Sequence, residues 1–204
     1  MIRRVQAMVL WCSLWTAPAA SAQRFDLDAS VGFGSAAWRA AVGSQWRLSV
    51  GSRLTLGAGL RLSFYQGESA SFSNQGAISP TLPEQLPIDP AVWGLNVVVS
   101  AQARLVGPVA VGANIDLAGV AGGPQRPQGT ITLKPALGSL LLFGDQDRGS
   151  LNSEFFLAVP VSQRIEIRAG MSHYVVGYDA EDGATSTRYL RGETVPFVGV
   201  RWML

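Results

Sequence analysis

The chain has 204 residues, of which 48% are apolar but only 15% charged, and its 16 basic residues barely exceed its 14 acidic ones. Ordinary soluble domains carry about 25% charge. So even a balance gives a nucleic-acid partner no electrostatic support, and the single cysteine, Cys12, excludes a disulfide framework and a thiolate metal site.

Residues 1–22 have the pattern of a cleaved export signal: Arg3 and Arg4, a short apolar run from Ala7 to Trp15, and Ala20-Ser21-Ala22 before Gln23. The run is too short for a bilayer span, which takes roughly 20 residues. Without Arg3 and Arg4, 14 basic residues face 14 acidic ones, and residues 23–204 form one expected domain. That domain holds no long apolar helix candidate. High apolarity then leaves a soluble β protein with a large core, or a closed barrel facing lipid.

Eight stretches alternate with period two: Phe25–Gly34, Trp38–Val50, Arg53–Tyr65, Ala91–Leu105, Val109–Val120, Asn152–Val161, Ile165–Tyr178 and Thr194–Leu204. In the third, Leu54, Leu56, Ala58, Leu60, Leu62 and Phe64 share a face opposed to Arg53, Thr55, Gly57, Gly59, Arg61, Ser63 and Tyr65. In the fifth, Val109, Val111, Ala113, Ile115 and Leu117 oppose Gly112, Asn114 and Asp116. With the phase set by the apolar residues, the strand charges fall on the other face: Asp26, Asp28, Arg39, Arg47, Arg53, Arg61, Arg104, Asp116, Glu154, Glu166, Arg168 and Arg201. In a barrel these would meet in the lumen as an ionic network, since an Arg or Lys facing the lipid midplane costs about 2–4 kcal/mol.

Connections alternate in length. Three-residue turns at Gly51-Ser52-Arg53, Val106-Gly107-Pro108 and Ser162-Gln163-Arg164 keep adjoining strands in one phase. The opposite links, about 67–90, 121–151 and 179–193, are long, and only that near Ser35–Ala37 is short. Short turns at one end and long loops at the other suit an outer-membrane barrel, and an even strand count returns both termini to one side. Pro80, Pro83, Pro87 and Pro90 make the second outer loop irregular by expectation. In the third, Leu133, Leu137, Leu140 and Leu141 have helical spacing while Thr130 to Leu133 has strand character, so an extra hairpin within 125–150, giving ten strands, is the architectural alternative to eight. Phe33, Trp38, Phe64 and Trp93 gather at the long-loop end of the apolar face, and Phe25, Trp46 and Trp202 near the other, as two interfacial girdles.

In this pattern of strands, turns and loops the chain resembles the small bacterial outer-membrane barrels typified by the OmpA membrane domain and OmpX. Its last strand, Val195-Pro196-Phe197-Val198-Gly199-Val200-Arg201-Trp202-Met203-Leu204, resembles the terminal strand that barrel-assembly machinery reads in that family, although it closes on Leu204 rather than an aromatic residue. The resemblance implies an eight-stranded antiparallel up-and-down transmembrane barrel exported to a Gram-negative outer membrane. Outer-membrane lipid, lipopolysaccharide and the assembly machinery are its implied partners.

Few residues carry chemistry. His173, the only histidine, is in phase with Ile165, Ile167 and Met171, and the turn at 162–164 sets Ser153 across from it. Lipid A deacylases place a Ser-His pair on a barrel exterior, so Ser153 and His173, with Asp179 or Glu181 orienting, are a candidate dyad. The usual His-x-Ser pattern is absent, since Val175 holds that position. One histidine and no cysteine past residue 22 supply no transition-metal set, although Asp145 and Asp147, or Asp179, Glu181 and Asp182, would suit loose cation binding at a surface. No phosphate-binding glycine loop opens a helix, and no cofactor is implied. The expected role is structural or one of surface interaction, with a narrow pore as the alternative and a lipid-modifying enzyme as the third reading.

Overall fold

The computed structural model describes residues 23–75, 82–140, 150–183 and 185–204. The export signal and Asp145 and Asp147 lie outside the described residues. Among these residues thirteen strands form one antiparallel sheet. They are β1 (Gln23–Phe33), β2 (Ala37–Val50), β3 (Leu54–Gly67), β4 (Ala70–Asn74), β5 (Gln85–Ile88), β6 (Ala91–Arg104) and β7 (Ala110–Gly122), followed by β8 (Arg126–Gln128), β9 (Ile131–Pro135), β10 (Gly138–Leu140), β11 (Leu151–Pro160), β12 (Ile165–Asp182) and β13 (Thr185–Met203).

Eight of these, β1, β2, β3, β6, β7, β11, β12 and β13, pair in succession, and β13 returns to β1 with Ala29 opposite Val200. Closure leaves this ring no free edge. The phase predicted from sequence holds across the short turns, where Val50 faces Leu54 directly. Gly51 and Gly107 take the positive φ these turns need, at 65° and 56°. In the third turn Val161 N–H donates to the Ile165 carbonyl at 2.9 Å, and Ser162 Oγ accepts from Arg164 and Ile165.

One irregularity interrupts the alternation. Val97 pairs with Ala118 but Val98 pairs with Asp116, so Leu117 is the extra residue of a bulge in β7. Beyond it the phase of β7 reverses: Val111 is exposed below and Gly112 buried, whereas Val120 is exposed above and Ala121 buried. The single apolar face predicted for this strand therefore ends at Leu117.

The long-loop end is more ordered than expected. The proline-bearing loop 67–90 contains the hairpin β4–β5, with Pro87 on the outermost strand, where a missing N–H costs no ladder bond. The link 179–193 is mostly strand, because β12 and β13 continue past the ring with Tyr178 opposite Tyr189 and Glu181 opposite Ser186. The extra hairpin is present as β8–β9, with Ile131 to Leu133 in a strand rather than a helix, but it does not join the ring. It docks instead on the upper part of β12, Lys134 opposite Asp179, so the hydrogen-bonded ring is one of eight strands. Leu141 lies outside the described residues.

The interior is close-packed at points where only glycine fits. A Cβ on Gly112 would sit 2.6 Å from the Phe156 ring. Gly112→Val is expected to cost about 1–3 kcal/mol by overpacking, read as a lower urea midpoint for the refolded barrel.

Candidate functional site

Because inward positions recur every second residue on all eight strands, charges far apart in sequence converge on the barrel axis. Glu154 of β11 is their hub. Arg39 Nη2 lies 2.9 Å from its Oε1, Arg61 Nη1 3.1 Å and Arg168 Nη1 3.8 Å from its Oε2. Ser30 Oγ and Asn114 Nδ2 also donate to it, at 3.1 and 2.6 Å. Toward the loops, Arg61 donates to Asp116 at 2.5 and 2.9 Å, and Asp116 also accepts from Asn96 Nδ2 and the Asn152 N–H. Toward the short turns, Arg168 pairs with Asp28 at 3.1 Å and Arg201 with Glu166 at 2.6 Å. Arg47 bridges Asp26 at 3.4 Å and Gln102 at 2.7 Å.

Ten of the twelve predicted lumen charges are thus buried, five arginines (Arg39, Arg47, Arg61, Arg168, Arg201) against five acids (Asp26, Asp28, Asp116, Glu154, Glu166). The interior is neutral, as a low-dielectric space requires when unpaired charge is costly. Arg53 and Arg104 are the correction. Arg53 belongs to a turn and Arg104 ends β6, and both are exposed at the short-turn mouth. Charge counting alone missed the buried aromatics. The Phe197 ring lies 4.8 Å from the Arg39 guanidinium and Phe156 5.1 Å from that of Arg168, each offering a π face to a desolvated cation. Their parity with Arg201 and Glu154 was the signal available in the sequence, as it was for the neutral inward groups Gln45, Asn96, Gln102, Asn114 and Asn152.

Above this polar plug the interior turns apolar. Tyr65 stacks on Tyr174 at 4.9 Å, and over them Phe72, Leu82, Leu86, Ile88, Leu133, Val176, Tyr178 and Tyr189 form one buried cluster. The Phe72 ring meets Tyr178 edge-on at 5.7 Å. The Tyr189 hydroxyl donates to the Pro83 carbonyl, and that of Tyr65 to Glu193. Ala91 N–H donates to Tyr178 Oη at 2.9 Å. Burial pushes the Tyr178 phenol above its ordinary value of 10. That contribution is fully present below pH 10, where the unfolded phenol is also neutral, and falls as the pH rises past it. The β4–β5 and β8–β9 hairpins meet at Asp89 and Arg126, 3.4 Å apart, so the extended β12–β13 hairpin and its flanks cap the barrel.

The outer face is the converse. Phe33, Trp38, Trp46, Phe64, Trp93 and Trp202 are all exposed, and Phe25 is half-buried against Trp46 at 5.0 Å. Trp38 and Trp46 are eight residues apart on β2. That is roughly 26 Å of strand at about 3.3 Å per residue, or about 20 Å along the axis at a tilt of about 40°. Between the aromatic ends the exposed side chains are largely aliphatic, with Leu60 and Leu157 among them.

Ser153 does stand directly opposite His173, as the turn length implied. The imidazole, however, leans the other way. Its Nδ1 lies 2.9 Å from Thr194 Oγ1 on β13, and its Cε1 and Nε2 cover Gly192 of that strand. Asp179 is held by Arg188 at 2.7 Å and Glu181 by Lys134 at 2.6 Å, six and eight residues beyond His173 along β12. Among the described residues no carboxylate lies within ion-pair distance of the histidine, and Ser172 faces the lumen, donating to Asn152 at 2.6 Å.

Ring, plug and cap together define a closed eight-stranded antiparallel barrel with a filled polar interior and an apolar exterior. No protein-family model matches the chain, and no curated protein matches it. Among solved structures it is similar to a major outer membrane protein from Thermus thermophilus, with 13% identity and a TM-score of 0.42 over 90% of this chain and 100% of that one. It is also similar to in-vitro folded OmpT of Vibrio cholerae (10% identity, TM-score 0.28, 87% of this chain and 64% of that one). A loop L8 deletion mutant of that OmpT gives 11% identity and a TM-score of 0.28 over 87% and 62%.

Proposed function

We propose that the protein is a bacterial outer-membrane barrel with a structural or surface-interaction role, anchoring the capped hairpins outside the cell. The observation that carries this reading is the inside-out distribution of side chains: five buried arginines neutralised by five acids, enclosed by strands whose outer faces are aliphatic between two sets of exposed aromatic rings. In water such a surface would be one large apolar patch; in a bilayer it is the solvated side. Outer-membrane lipid and lipopolysaccharide are then its surroundings, and the barrel-assembly machinery its partner during insertion.

The filled lumen and apolar cap favour anchoring over conduction. An eight-stranded barrel is wide enough for its own side chains and little more. In planar bilayers the purified protein is expected to give no discrete, reproducible channels. Removal of residues 70–88 is expected to keep heat-dependent migration on mild SDS gels, since that hairpin contributes to the cap and not to the ring. Steady unitary conductance from the intact protein would favour the pore instead.

A further inference from the structure

The two arginines left out of the lumen network are not scattered. The N–H of Arg104, at the end of β6, donates to the carbonyl of Arg53, in the turn just before β3, at 2.8 Å, so the two residues face each other next to the Leu54–Ala103 pair. Both continue the inward phase of their strands, that of Arg61 and of Gln102. Like charges directly opposite on neighbouring strands are destabilising. Among the described residues neither has a carboxylate within ion-pair distance. The acids nearby are occupied: Asp26 is shared by Arg24 and Arg47, and Glu166 by Arg201 and Gln102. Arg24, Arg53 and Arg104 line one funnel of about 280 Å³ at the short-turn mouth, with Ser52, Thr55 and Gln102 supplying further polar groups and Glu166, already paired with Arg201, standing in the same wall.

We infer that this mouth is a binding site for a phosphate-bearing anion. Two guanidiniums side by side at the mouth, without a carboxylate partner among the described residues, present forked donors suited to phosphate oxygens. The excess of two positive charges is of the size that a phosphate monoester, at about −1.5 to −2 near neutral pH, neutralises. The shared chemistry has two sources, a soluble phosphate compound or the headgroup of an anionic phospholipid. That this mouth opens on the periplasm rests on the placement proposed above; the binding chemistry does not.

The purified protein in dodecyl maltoside is titrated with pyrophosphate by calorimetry, and separately exchanged into nanodiscs containing phosphatidylglycerol for native mass spectrometry. Saturable binding in either arm is expected, weakening as salt is raised. It should be at least tenfold weaker in the Arg53→Gln/Arg104→Gln protein. Pyrophosphate binding alone identifies a soluble source, and retained phosphatidylglycerol alone a headgroup. In phosphate-free buffer the double variant is expected to melt at a higher temperature than the parent, because the opposed charges are gone. No binding in either arm, or equal binding by parent and variant, overturns the site. Membrane fractionation and heat-dependent gel migration report on the barrel itself, so failure of the site and failure of the placement remain distinguishable.

Discussion

Glu154→Ala is expected to destabilise the barrel by about 3–5 kcal/mol, the cost of breaking a buried ion pair by removing one partner. This carboxylate is the common partner of Arg39, Arg61 and Arg168, all fully enclosed by the ring. Its loss leaves Arg61 with Asp116 and Arg168 with Asp28, but takes the ion-pair partner from Arg39. Equilibrium unfolding in urea from a lipid or detergent background reads the change. Adding Arg39→Met to Glu154→Ala should recover part of the loss, since the orphaned cation then goes too. Unchanged stability in the single variant would mean that the lumen is wet enough to solvate these charges, and the description of a closed plug would fail.

The second large effect lies on the opposite face. Leu60→Arg, at an outward position near the middle of β3, is expected to cost about 2–4 kcal/mol in a bilayer. Leu60 is 51% exposed, so in a water-soluble protein the same change would cost almost nothing. The sign and size of this one value separate the two environments. Comparison with Val106→Arg, in a turn beyond the strand ends, gives an internal control that should stay within about 0.5 kcal/mol.

The ring was legible because a barrel wall asks the same thing of every strand: alternate residues meet two uniform media, and a three-residue turn preserves the phase. Leu54 to Tyr65 displays this directly, and the register of Val50 with Leu54 follows from it. The bulge at Leu117 was not legible, because one extra residue leaves its trace only in the reversed exposure of Val120 and Ala121. Beyond the wall that rule lapses. The β4–β5 and β8–β9 hairpins are held by contacts between distant segments, such as Phe72 with Tyr178 and Asp89 with Arg126, which no local pattern records. The lumen charges were found by parity. Arg53 and Arg104 share that parity but fall just past the last enclosed layer, where both are exposed. The Ser153–His173 juxtaposition was also legible from the turn, but the lean of the imidazole toward Thr194 depends on open space over Gly192.

From residue 23 onward the chain carries four tryptophans, Trp38, Trp46, Trp93 and Trp202, and all four are exposed on the outer face of the barrel. Their fluorescence therefore reports on the medium around the wall and on nothing inside it. Reconstituted into bilayers with brominated acyl chains, the protein should show strong quenching relative to unbrominated lipid. Emission indifferent to bromine, from protein that stays in the aqueous phase, would contradict the claim that hydrocarbon solvates this face.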